Sequence, residues 1–205
     1  MSAARDDAQD DGYEWPRPPV DGWTADDLDR LPDLPPHTEL IDGVLVFMSA
    51  QANFHMFVLR ALENGLVACA PQGLLVIREM TIRLERRTRL EPDLMVVPED
   101  SYLSTAQTCY QPEDLLLAVE ITSPESQERD RDVKPMKYAR AGIPHFWRVE
   151  NVNEAPVVYV YELDPASRSY AVTGIHHKQL KLDRPFDVDI DLTCFPKAGS
   201  ASVRR

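Results

Sequence analysis

The chain has no apolar run long enough to cross a bilayer, which excludes a helical membrane span within its 205 residues. Its N-terminus is acidic and lacks the basic and then apolar pattern of a secretory leader, so secretion is not expected. Cysteine is scarce: Cys69, Cys109 and Cys194 form an odd, scattered set that excludes a disulfide framework and suits a reducing cytoplasm. No Cys/His spacing matches a zinc site, and His176-His177 is too isolated to read as a metal pair. There is no internal repeat. Cations are also in deficit, with 22 Lys and Arg against 34 Asp and Glu and a net charge of −12. Such a balance argues against tight, salt-resistant binding to a polyanion, because phosphate neutralisation supplies much of that affinity.

The acids are unevenly spread. Asp6, Asp7, Asp10, Asp11, Glu14 and Asp21 crowd into a proline-rich opening, so residues 1–22 read as a disordered acidic tail, with a short helix starting near Thr24. Residues 23–195 are long enough to bury one full core and are expected to form a single domain. Residues 196–205, with Lys197, Arg204 and Arg205, read as a short basic tail. Arg78, Arg83, Arg86, Arg87 and Arg89 make a local basic group that suits either phosphate contact or a charged hairpin tip.

Two short apolar segments carry acids where a purely structural strand would hold another aliphatic residue. Leu90–Val97 contains Glu91-Pro92-Asp93, and Leu115–Thr122 contains Glu120. A buried ionised carboxylate is costly unless it is paired or binds a metal, so two on neighbouring strands suggest a site for Mg²⁺ or Mn²⁺. Lys134 follows Glu120 after a turn and a helix start. Two acids and a lysine suit phosphodiester chemistry: the cation polarises a phosphate and acidifies a water, while the ammonium orients that water or offsets developing charge. The plainer alternative is a strand-end acid paired with a solvated lysine on a helix face.

Thr38–Val44, Glu91-Pro92-Asp93, Val119–Pro124 and the run from Lys134 through Tyr138 to Trp147 resemble the Uma-two family of restriction endonucleases, in the family's motif order, from about residue 24 to residue 192. That family is similar to the PD-(D/E)XK nucleases. The resemblance implies an α/β fold, a restriction-endonuclease-like mixed β-sheet flanked by helices, with a divalent-metal phosphodiesterase site. It implies Asp93 and Glu120 as metal ligands and Lys134 as the catalytic lysine; Glu39 fits the family's first acid, and the backbone carbonyl of Ile121 is a further candidate ligand. One departure stands out: the superfamily lysine lies two residues after the second acid, where this chain has Thr122. In the family it moves to the next helix, within a D-x-x-x-K-x-x-x-Y run that Asp130, Lys134 and Tyr138 match. Those positions share one helical face, and Asp132 is a candidate N-cap that would put Lys134 and Pro135 in the first turn.

Two assignments stay open from sequence. Glu39 either completes the metal shell or is an ordinary polar residue at a strand edge. His55 either is a structural histidine beside core leucines or supports the site by contacting a ligand or phosphate; Tyr138 is a helper or a packing residue. The expected function is a metal-dependent endonuclease acting on nucleic acid, with DNA favoured over RNA, in the cytoplasm and without a membrane partner. A homodimer is expected only by analogy with nucleases that cut both strands. The alternatives are a catalytically inactive nuclease-fold binding or regulatory module, and a purely structural domain whose acids pair with arginines.

Overall fold

A computed structural model describes residues 16–194. The acidic residues 1–15 and the basic C-terminal tail lie outside the described residues. Thr24 leads into the short helix α1 (Ala25–Leu28), where the Asp27 carboxylate accepts from both the N–H and the Oγ1 of Thr24. Strands β1 (Glu39–Ile41) and β2 (Val44–Val46) are joined by Asp42-Gly43, both at positive φ, the two-residue turn that matches the twist of a hairpin. Helix α2 (Asn53–Cys69) buries His55, Val58, Leu59, Leu62 and Leu66, a stripe at helical spacing.

The middle of the chain supplies β3 (Leu74–Arg78), β4 (Thr81–Glu85), β5 (Thr88–Leu90), β6 (Leu94–Pro98), β7 (Cys109–Tyr110) and β8 (Leu117–Ile121). A π-helical turn, Arg129–Val133, then runs into α3 (Lys134–Ala141), which ends at Gly142 in the left-handed region at φ +89°. Strands β9 (His145–Val152), β10 (Ala155–Asp164), β11 (Ser169–His176), β12 (Gln179–Leu182) and β13 (Val188–Asp191) complete the fold.

The central sheet has the order β11-β10-β9-β8-β6-β3 and is mixed: β8 and β9 run parallel, and the other neighbours are antiparallel. A second sheet has the order β2-β1-β5-β4-β7, and β12 pairs with β13. Alternation along the central strands separates two cores. Leu94, Val96, Leu117, Val119, Ile121, Trp147 and Val149 pack with α2 and the β12–β13 pair. Met95, Val97, Ala118 and Phe146 pack on the opposite face with Tyr138 and Ile143, and with Ile82 and Leu90 of the second sheet. Gly65 of α2 lets β13 close in, since a Cβ there would lie 2.6 Å from Ile190 Cδ1. Glu120 shares the parity of Ala118, and so points to the α3 side.

The segment expected as one strand over Leu90–Val97 is divided: β5 ends at Leu90, Asp93 stands just before β6, and the two strands lie in different sheets. Pro92 explains the break, because it cannot donate to a ladder. The basic group is also resolved. Arg83 pairs with Asp26 at 2.7 Å, Arg89 with Asp29 at 2.6 Å, and Arg78 with Glu63 at 3.5 Å, while Arg87 donates to the Asp42 carbonyl. Arg83, Arg89 and Arg87 tie α1 and the β1–β2 turn to the β4–β5 hairpin, and Arg78 ties β3 to α2. Phe146 stacks with Tyr170 and meets Tyr161 at a tilt, and Arg148 lies 4.7 Å from the Tyr159 ring centre, so the C-terminal aromatics pack within the fold.

Candidate active site

Four separate segments deliver side chains to one place. Glu39 opens β1, Asp93 precedes β6, Glu120 sits in β8, and Lys134 begins α3. Lys134 Nζ lies 3.0 Å from Glu39 Oε1, 3.0 Å from Glu120 Oε2 and 3.6 Å from Asp130 Oδ1. Glu39, Asp130 and Lys134 are each 1% exposed and Glu120 is 2% exposed, so the cluster is removed from bulk water. Tyr138 donates its hydroxyl to Glu120 Oε1 at 2.6 Å, which fills that carboxylate's second oxygen. Ser126 donates to Asp130 Oδ2. The Glu91 N–H donates to Glu39 Oε1 at 2.8 Å.

Asp93 adjoins this cluster and is held separately. Its Oδ2 accepts the Ile121 N–H at 2.5 Å, and its Oδ1 meets His55 Nε2 at 2.8 Å. His55 therefore reaches from α2 to orient an acid, a placement that periodicity alone did not separate from core packing. Ile121 turns its side chain into the α2 core and lines the cavity beside Asp93. The structure brings the sequence candidates Asp93, Glu120, Lys134, Glu39, His55 and Tyr138 into one neighbourhood, with Ile121 beside them. Sequence reasoning gave no role to Asp130, although the D-x-x-x-K spacing contained the signal, and none to Ser126, which carries no signal at all. Asp132 is not an N-cap: Val133, just before Lys134, is already in the αR region, and the Lys134 N–H bonds the Arg129 carbonyl five residues back.

Burial sets the proton chemistry. It raises the Glu120 carboxyl well above its usual range, with Lys134 opposing and Asp130, Asp93 and Glu39 reinforcing the rise. Asp130 is raised for the same reason against the pull of Lys134 and Ser126. Burial disfavours the Lys134 ammonium, yet attraction from Glu120, Glu39 and Asp130 more than offsets it and keeps the amine protonated. Burial and the adjacent Glu120 push the Tyr138 phenol up, so it stays a donor. Burial works against the His55 imidazolium, but the hydrogen bond to Asp93 wins and raises its pKa.

Among the described residues no group of three His, Cys, Asp or Glu side chains stands in metal-holding geometry, because Lys134 occupies the space between the carboxylates. The chemistry of the donor set nevertheless fits a hard cation. Every acid oxygen here is of the type Mg²⁺ and Mn²⁺ prefer, and Glu39 Oε2 and Asp130 Oδ1 are buried without a hydrogen-bond partner. Glu39, Glu120 and Asp130 against Lys134 leave an excess of two negative charges when all are ionised, which a divalent cation would neutralise.

The cluster opens outward. A small cavity of 20 Å³ touches Asp93, Glu120, Asp130 and Lys134, and a wider one of 360 Å³ lies on the Asp93 side under Met48–Gln51. His37 and Glu91 line the wider cavity and are hydrogen-bonded to each other, which raises the His37 pKa.

Comparison with known proteins follows the same lines. A crystal structure of a putative nuclease belonging to DUF820 from Anabaena variabilis ATCC 29413 is similar, with a TM-score of 0.58 and 15% identity over 76% of this chain and 83% of that chain. At that identity the likeness concerns the fold, a restriction-endonuclease-like mixed sheet flanked by helices. No curated protein sequence matches the chain. The Uma2 family model, described as "Putative restriction endonuclease", matches residues 25–194. That span includes every residue of the carboxylate cluster, and this chain belongs to the Uma2 family of putative restriction endonucleases.

Proposed function

We propose that the chain is a Mg²⁺- or Mn²⁺-dependent endonuclease that hydrolyses phosphodiester bonds in nucleic acid, DNA ahead of RNA, in the cytoplasm. The observation that carries this reading is the convergence of Glu39, Glu120 and Asp130 on Lys134, beside Asp93, in a buried cluster with excess negative charge. A soluble scaffold has little reason to bury three acids around one amine, because removing such charges from water costs more than their attraction usually returns.

In this reading Asp93, Glu120 and Glu39, with the Ile121 carbonyl, would hold the cation. When bound it polarises the phosphate and makes an attacking hydroxide available near neutral pH. Lys134 keeps its proton and presents an ammonium to the water or to a phosphate oxygen that gains charge as the bond breaks. His55 keeps Asp93 in place, and Tyr138 aligns Glu120 through its hydroxyl. Lys134 and His55 neutralise the same acids that would hold the cation, Lys134 at Glu39 and Glu120 and His55 at Asp93.

One observation favours the second reading, an inactive binding module. Arg83 and Arg89 of the β4–β5 hairpin are paired with Asp26 and Asp29, which withdraws two cations from any nucleic-acid surface. Calorimetric Mn²⁺ titration separates the two. The nuclease reading expects binding by the wild-type chain and its loss in folded Asp93→Ala and Glu120→Ala variants, followed by metal-dependent cleavage that Lys134→Ala abolishes. Absence of binding at millimolar metal, with and without nucleic acid, would remove the nuclease reading. A homodimer that presents two sites is part of the proposal, and light scattering of the purified chain tests it.

A further inference from the structure

Arg129, partly buried, differs from its exposed neighbour Arg131 in its lack of a partner among the described residues. It stands at the start of the π turn and lines a cavity of 120 Å³ with Met48, Gln51 and Ser123. Its Nε is buried without a hydrogen-bond partner, and its guanidinium has no ion pair among the described residues. Arg131, two positions later, gives Nε and Nη2 to Glu150 at 2.9 and 2.7 Å. Glu125 lines the same cavity, is exposed, and leaves Arg129 unpaired. A partly buried guanidinium whose Nε–H has no partner within the fold is free to take an anion from outside.

The position of this cation says which anion. The Arg129 cavity shares Met48, Gln51 and Ser123 with the cavity that touches Asp93, Glu120 and Lys134. The wider cavity beyond Asp93 shares Met48–Gln51 with both, apart from Ser49 and Ala50, which the small cavity lacks. The three cavities therefore adjoin one another along the Met48–Ala52 segment, and the smallest of them reaches the carboxylates. We propose that Arg129 binds a backbone phosphate of the substrate strand adjacent to the phosphate presented to the carboxylates. A planar guanidinium fork matches phosphate oxygens, and a fixed cation beside the carboxylates sets the strand's register. This inference rests on the nuclease reading and adds a positioning contact to it.

The test uses a fluorescently labelled DNA duplex and the corresponding single-stranded RNA, with Ca²⁺ in place of the catalytic ion, and follows binding by anisotropy across a range of salt. Arg129→Gln is expected to weaken binding about tenfold and to make the logarithmic salt dependence shallower by about one unit. Arg129→Lys should keep the salt slope and lose part of the affinity, because it retains the charge without the fork. Arg168→Gln removes the same charge from the exposed β10–β11 turn and should change neither. Mn²⁺ calorimetry on each variant confirms that the carboxylate cluster is intact. If the wild-type chain binds and cleaves while Arg129→Gln matches it in affinity and slope, this inference fails and the nuclease reading stands. Equal losses in Arg129→Gln and Arg168→Gln also overturn it, because the effect is then general charge. If the wild-type chain neither binds nor cleaves either nucleic acid, the nuclease reading fails and takes this role with it.

Discussion

Lys134 is the residue on which the cluster turns. Its ammonium serves three acids, so removing it leaves buried anions without a counter-charge. Lys134→Met keeps the volume and deletes the charge; it is expected to destabilise the chain by about 3–5 kcal/mol at neutral pH, measured by urea denaturation. A change under about 1 kcal/mol would mean that the acids are already neutral or solvated. Glu120 makes a related prediction with a definite sign. Its folded pKa lies well above the usual 4.5, so the folded chain binds that proton more tightly than the unfolded chain does. The corresponding stability is fully present below the unfolded pKa and is lost as pH rises through the raised folded value. Thermal melts in chelator should therefore show a midpoint that falls as pH climbs from about the usual carboxylate range, and Glu120→Gln should flatten that fall. Asp130, raised in the same direction, leaves a smaller slope in the variant. Identical slopes in wild type and variant would falsify the assignment.

At the scale of elements, the π-helical turn Arg129–Val133 decides which side chains meet. An α-helical continuation would need an N–H from residue 135 to the Arg131 carbonyl, but Pro135 has none and its ring would collide there; widening the turn relieves both. The wider turn keeps Asp130 and Lys134 on the buried side together, with Tyr138 one turn further along. Pro135→Ala restores the donor and lets the segment tighten. The variant should be as stable as the wild type or more so by up to about 1 kcal/mol, yet bind Mn²⁺ more weakly in calorimetry, because the tightened turn shifts Asp130 relative to Glu120 of β8. Unchanged metal affinity would show that the turn is not what aligns them. The sequence reading placed Asp130, Lys134 and Tyr138 on one face correctly from their spacing. It assigned the helix start to Asp132, because a proline near a helix end ordinarily marks the first turn. The widened turn breaks that rule, and no local propensity announces it.

For the whole molecule, charge is the dominant constraint. With a net charge of −12, any nucleic-acid binding is expected to be weak and to fall steeply with salt. Residues 1–15 hold Asp6, Asp7, Asp10, Asp11 and Glu14 against a single Arg5, so deleting them removes four net negative charges. That deletion should tighten binding to a DNA duplex several-fold at low salt, with the difference shrinking as salt screens it, and should leave the melting temperature unchanged. Tighter binding that persists undiminished at high salt would point to an occluding contact rather than to charge.

The sequence by itself determined the residue types and the face each occupies: acids inside apolar strands, a D-x-x-x-K-x-x-x-Y spacing on a helix, and the order of motifs that marks the family. These are local properties, carried by periodicity and by the cost of placing a carboxylate in a core. Only the tertiary structure decided the partners. Glu39 meets Lys134 across 95 positions of chain, which no local pattern encodes, and His55 meets Asp93 because two layers pack face to face. The division of Leu90–Val97 between two sheets, the capture of the hairpin arginines by α1 acids and the isolation of Arg129 have the same origin. Each depends on which surfaces are brought within a few ångströms once two cores close on one sheet, and that proximity is a property of packing rather than of any one segment.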